Sequence, residues 1–70
     1  MNDDVPLAGL SVERVQKALM QLPDGYRIVF SLYMFEGYDH EEISQILKVS
    51  ESTSKSQFHR AKQKLREILA

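Results

Sequence analysis

Apolar residues recur along this chain at the spacing of helices, and no stretch shows the strict alternation of a half-buried strand. Val12, Val15, Leu19 and Leu22 form the first stripe, with Ser11 before them as a side-chain cap. Pro23 stands where a second helix can begin, because a first turn leaves its N–H unpaired in any case. Tyr26, Val29, Phe30, Tyr33 and Met34 then trace an apolar face that ends at Gly37, a natural left-handed stop. Asp39 followed by Glu42 predicts a capping box, and Ile43, Ile46 and Leu47 predict the buried side of a short third helix. A fourth helix starts near Ser50 and directs Ser54, Phe58, Ala61, Leu65, Ile68 and Leu69 to one side. The pattern predicts an all-α fold, a small four-helix domain over residues 11–70 containing a helix-turn-helix.

The last two helices differ in character. The third is short and anchored by its neighbours, since a helix of about eight residues does not persist alone. The fourth is amphipathic in a particular way. Ser52, Ser56, His59 and Gln63 lie opposite its apolar side, flanked by Lys55, Arg60 and Arg66. A buried first helix, a tight turn and a polar, basic second helix are the layout of a motif that reads the major groove.

Charge sharpens this picture where the net value of −1 conceals it. Residues 1–47 carry three Arg or Lys against eight acids, a balance of −5, and residues 48–70 carry six against two, a balance of +4. Such a chain holds a polyanion at one end and repels it at the other, so binding depends on orientation. The N-terminal helical turn of the fourth helix is also crowded with small hydroxyls: Ser50, Ser52, Thr53, Ser54 and Ser56. Small side chains allow close backbone approach, and free N–H groups with the helix dipole behind them favour a phosphate. Lys55 and Arg60 are the candidates for base or near-base contacts, because Arg or Lys paired with guanine is the commonest specific contact. Ser52, Thr53, Ser56 and His59 are shorter-range candidates, and Lys62 a phosphate contact. The plainer readings are a serine cluster that only caps a helix and a charge run that only faces solvent.

Other chemistry finds little support. There is no cysteine, which removes disulfides and thiolate metal sites and fits a cytoplasmic location. His40 and His59 have no matched ligand spacing, so no metal and no cofactor is expected, and His40 reads as a surface residue. Glu41 and Glu42 have no facing carboxylate and no phosphate-cradling glycine loop is present, so an enzyme is not expected. No apolar run approaches a membrane span. Tyr26, Phe30, Tyr33, Phe35 and Tyr38 suggest single-strand stacking, but their helical spacing and acidic surroundings assign them to the core and its edge. Residues 1–10, with Pro6, Gly9 and adjacent acids, read as a flexible tail or linker remnant.

Three segments in order carry a resemblance: Leu22-Pro23-Asp24-Gly25-Tyr26-Arg27-Ile28-Val29-Phe30, Glu36-Gly37-Tyr38-Asp39-His40-Glu41-Glu42-Ile43, and Lys55-Ser56-Gln57-Phe58-His59-Arg60-Ala61-Lys62. Together they resemble region 4 of a bacterial sigma factor of the extracytoplasmic-function type. The resemblance implies a module that binds the promoter −35 element as double-stranded DNA, docks on the flap of the RNA polymerase β subunit, and can be held by an anti-sigma factor. It places DNA contacts on Ser52, Thr53, Lys55, Ser56, His59 and Arg60, with Arg27 or the Asp39–His40 corner near the backbone. It implies flap and anti-sigma contacts on the earlier helices.

Four positions depart from that pattern. Lys48 stands where the family usually has glycine, so the turn carries strain or differs. Ser44 replaces a preferred alanine and Ser54 a branched apolar residue, which is expected to loosen a thin core. Gln57 replaces a common Arg or Lys. The polymerase-gripping N-terminal domain of such factors has no counterpart here, and an excised domain is the expectation. Two other functions fit the same pattern: a helix-turn-helix that binds only protein, and the DNA-binding domain of a response-regulator-type transcription factor.

Overall fold

A computed structural model describes residues 11–70, and the tail expected over residues 1–10 lies outside the described residues. Four helices follow in order: α1 (Val12–Leu19), α2 (Asp24–Met34), α3 (His40–Leu47) and α4 (Glu51–Leu69). No strand occurs among the described residues. At about 1.5 Å per residue, α4 runs roughly 28 Å, close to the 31 Å long axis of the molecule. It packs against each of the other three helices, most extensively against α2.

Local chemistry fixes where each helix begins and ends. The Ser11 hydroxyl accepts the Arg14 N–H at 3.1 Å and starts α1. Pro23 occupies the N-cap of α2, one position earlier than a first-turn role requires, and supplies no side-chain bond. The Asp24 carboxylate in that first turn instead takes the Arg27 guanidinium at 2.6 Å. Gly37, at φ 83°, turns the chain at the end of α2, and the Tyr38 N–H reaches back to the Leu32 carbonyl at 3.1 Å. The capping box on α3 is complete: Asp39 accepts from the Glu42 N–H at 2.8 Å and Glu42 from the Asp39 N–H at 2.9 Å.

Lys48 adopts the left-handed conformation at φ 60°, ψ 43°. The Val49 N–H donates to the Ser44 carbonyl at 3.1 Å, which closes the end of α3 around it. The turn therefore keeps the geometry glycine would take, and the lysine carries the strain. Ser44 is half-buried and spends its hydroxyl on the Glu41 carbonyl of its own helix at 2.7 Å.

Val15, Ala18, Leu19, Leu22, Phe30, Ala61 and Leu65 form the core, with Tyr26, Phe58, Ile68 and Leu69 half-buried against it. Three positions of the apolar stripes behave differently from expectation. Val12 is 58% exposed, Ile46 47% and Met34 41%, although each stands on an apolar stripe of its helix. Ala18, which the stripe did not include, is buried instead. Of the aromatic series, Phe30 is fully buried, Tyr26 is half-buried, and Tyr33, Phe35 and Tyr38 lie at the core edge.

His40 corrects the surface reading. It is half-buried where α2, α3 and α4 meet, its Nδ1 lies 2.8 Å from the Ser54 hydroxyl, and its ring stacks on Tyr33 at 4.6 Å. Phe58 approaches the same ring edge-on at 5.5 Å. Burial lowers the His40 pKa below its ordinary 6.5, Lys55 and Lys62 act in the same direction, and Glu51 and Asp39 oppose them.

These contacts predict the effects of three perturbations. Lys48→Gly relieves the left-handed strain and is expected to raise stability by roughly 0.5–1 kcal/mol. Gly37→Ala, whose added Cβ meets no atom within 4 Å, should lower stability by about 1 kcal/mol through backbone strain alone. Thermal unfolding followed by circular dichroism checks both. The lowered His40 pKa means that the unfolded chain binds its proton first. Stability contributed by neutral His40 is therefore full above pH 6.5 and is lost as pH falls from 6.5 to the folded value. The difference between the parent and His40→Asn in unfolding midpoint should shrink over that window; a constant difference would contradict it.

Candidate nucleic-acid interface

The first turn of α4 is built by its own hydroxyls. Ser50 accepts the Thr53 N–H at 2.9 Å, and its O–H donates to Thr53 Oγ1 at 2.8 Å. This cap leaves the N–H groups of the opening residues pointing out of the helix end, where the dipole favours an anion. Four residues in, Ser54 is 0% exposed, and Ala61 and Leu65 follow it on the buried side. At about 100° per residue, burying that side turns Ser52, Ser56, His59 and Gln63 outward, and all four are exposed.

Six of the seven candidates from the sequence thus share the open part of α4: Ser52, Thr53, Lys55, Ser56, His59 and Arg60 are exposed. Lys55 stands at one flank, its Nζ 3.7 Å from the Glu51 carboxylate on a pair open to solvent. Such a pair contributes little stability and gives way readily to a stronger anion. Lys62 is the exception. It is half-buried, with its Nζ over the Phe58 ring at 5.1 Å from the centroid, and so marks the border of the face. Lys64 turns away toward Glu67 at 3.9 Å.

The two secondary candidates lie apart. Arg27 is held by Asp24 and lines a groove of about 580 Å³ with Glu13, Lys17, Met20 and Phe35, to which α3 and α4 contribute no residue. The Asp39–His40 corner joins α4 directly, through the His40–Ser54 hydrogen bond. The sequence reading missed that pairing, since spacing along one helix reveals nothing about a partner fourteen residues away on another. The one legible signal was a hydroxyl on the apolar side of α4, which needs a partner if buried.

Gln57 borders α2. Its Oε1 is buried and has no hydrogen-bond partner, and a Cβ on Gly25 would stand 3.2 Å from it. An amide here keeps the flank of α4 that faces α2 uncharged. The positive charge of α4 is carried by its outward and C-terminal positions. Among the described residues no group of three or more His, Cys, Asp or Glu side chains is placed to hold a metal ion. No helix among them is long and apolar enough to cross a membrane.

Comparison with known proteins agrees with this geometry. The family model for sigma-70, region 4 matches residues 12–65, which takes in α1, α2, α3 and most of α4. The chain is 36% identical over 50 residues to the ECF RNA polymerase sigma factor SigM of Bacillus subtilis (strain 168), covering 71% of this chain and 31% of that protein. It is 41% identical over 56 residues to the ECF RNA polymerase sigma factor SigE of Mycolicibacterium smegmatis (strain ATCC 700084 / mc(2)155), covering 80% of this chain and 22% of that protein. The chain therefore spans less than a third of the length of these curated relatives. No solved structure matches it. With a family match over most of its length, on four helices whose third and fourth form a helix-turn-helix, the chain belongs to the sigma-70 region 4 family, in its extracytoplasmic-function branch.

Proposed function

We propose that this chain is the DNA-binding module of a sigma factor and that α4 enters the major groove of a promoter −35 element, directing RNA polymerase to initiate there. One observation carries the reading: a single buried side of α4 forces Ser52, Ser56, His59 and Arg60 onto one open face. Arg60 is the long donor suited to paired contacts with a guanine edge, and Lys55 reaches either bases or the near phosphates. Ser52, Thr53, Ser56 and His59 bring short hydroxyl and imidazole groups to the groove floor or its walls. Lys62, at the border, serves the backbone.

The polymerase contact belongs on a separate surface. We assign docking on the β flap, and capture by an anti-sigma factor, to the α1–α2 groove. Met20 at 69% and Phe35 at 39% exposure offer apolar contact there, beside the Glu13, Lys17 and Glu36 charges. Such an arrangement lets one module hold duplex and polymerase at once, because the two surfaces share no residue.

Selection of bound duplexes from a random pool tests the DNA reading, with this chain supplied alone and fused to polymerase-binding elements. The expected product is one short asymmetric site; paired half-sites one helical turn apart would indicate a dimeric regulator instead. Affinity that does not fall with salt would leave only the protein-binding function. On the selected duplex, Arg60→Ala should cost roughly 1–3 kcal/mol and relax preference at one or two bases. Lys62→Ala should weaken binding to all sequences alike and lower the slope of log K against log salt by about 1.

A further inference from the structure

We propose that His40 is a positioning residue for DNA recognition: at the junction of α2, α3 and α4 its imidazole takes the Ser54 hydroxyl and thereby sets how α4 presents Ser52, Ser56, His59 and Arg60. The inference rests on the DNA-binding reading above and adds the group that aims the reading helix.

Ser54 is the one polar residue among the described residues that is fully buried. Its buried hydroxyl needs a partner, and His40 Nδ1 at 2.8 Å is that partner. The position matters because Ser54 lies between Ser52 and Ser56, directly behind the face that meets a duplex. His40 is the first residue of α3, locked by the Asp39–Glu42 capping box. Its ring is held on a second side by Tyr33 of α2, at 4.6 Å and 24°, and on a third by Phe58 of α4, at 5.5 Å and 63°. The apolar contacts seat α4 on the core, and a hydrogen bond is directional over a narrower range than they are, so this pair refines the rotation of α4 about its own axis. A turn of about 20° moves a group roughly 5 Å from the axis by about 2 Å, which is enough to break a hydrogen bond to a base edge.

The groups facing the imidazole bias its charge. Asp39 on α3 and Glu51 on α4 favour the charged ring; Lys55 and Lys62 on α4 and burial disfavour it, while Tyr33 of α2 covers one face. Burial is the largest influence and lowers the His40 pKa, which favours the uncharged ring near neutral pH; of its two tautomers we assign the Nε2–H form, in which Nδ1 accepts and the Ser54 O–H donates. A protonated ring turns Nδ1 into a donor and forces the buried hydroxyl to aim its hydrogen elsewhere.

The test combines nitrogen NMR of the imidazole with fluorescence anisotropy on a labelled duplex selected as above, using the whole chain and four variants. At pH 7.5 the His40 ring should carry its proton on Nε2; a proton on Nδ1 would overturn the assigned bond. His40→Phe keeps a ring but strands the Ser54 hydroxyl, and should lower affinity about tenfold with flattened base discrimination. His40→Asn can place an amide atom near the Nδ1 position and should recover to within about threefold of the parent. The double variant His40→Phe/Ser54→Ala should lose no more than His40→Phe. Ser54→Ala removes the fully buried hydroxyl and favours helix, leaving only Nδ1 of the half-buried His40 without its partner, so its melting temperature should hold or rise while base discrimination falls. That opposition is one a purely structural role does not produce, and it remains measurable even where His40→Phe fails to fold. Parent-like base ranking in Ser54→Ala, or His40→Asn as weak as His40→Phe, would overturn the proposal. If the parent binds no duplex at all, the DNA reading itself fails and this proposal with it, and the parent measurement alone reveals that outcome.

Discussion

Everything in this small domain depends on burying one side of α4. Ala61 and Leu65, both at 0% exposure, seat the helix against the cluster that α1 and α2 build from Val15, Ala18, Leu19, Leu22 and Phe30. That contact is worth far more than any polar interaction on the surface, because several fully buried apolar side chains contribute about 1.5–3 kcal/mol each. It also determines orientation. Once one side is committed to the core, the opposite side has no choice about where to point, and the hydroxyl, imidazole and guanidinium groups arrive together on a convex, open face. The function assigned to α4 follows from the packing of its other side.

The two halves of α4 are held by different means. Toward the C-terminus the contacts are aliphatic and tolerant of small shifts. Toward the N-terminus an aromatic seam of Phe30, Phe58, Tyr33 and His40 joins three helices, with centroid separations from 4.5 to 5.5 Å between the stacked, tilted and edge-on neighbours. Flat rings packed at defined angles leave less freedom than branched aliphatics. The stiffer end is the one that carries the serines.

Much of this was legible in the sequence because it is local. Helix order, the Asp39–Glu42 box, the Gly37 stop and the outward set on α4 all follow from spacing within about four residues, and the structure contains each of them. Lys48 was legible as a conflict between residue type and backbone, and the backbone prevailed: the fold holds the left-handed turn and lysine adopts it. What escaped is what depends on distance along the chain. Val12 and Ile46 have the right period for burial, yet short helices at the edge of a thin core lack enough neighbours to cover every stripe position. His40 looked like a solvent-facing residue among acids because its partners, Tyr33, Ser54 and Phe58, come from other helices. The groove that Arg27 lines with α1 was equally hidden, since only the fold brings those residues together.

Among the described residues, 11–47 carry six acids against three Arg or Lys, a balance of −3, and 48–70 a balance of +4, a separation that becomes spatial once α4 gathers five of the cations on one rod. The molecule is then an electric dipole, and a dipole near a polyanion feels torque before it feels contact. Collisions that lead with α3, which carries Glu41 and Glu42 and no Arg or Lys, are pushed off, while those that lead with α4 are drawn in and turned. Selection among encounters thus begins about a Debye length from the surface, roughly 8 Å at physiological ionic strength, ahead of any bond that distinguishes one base from another.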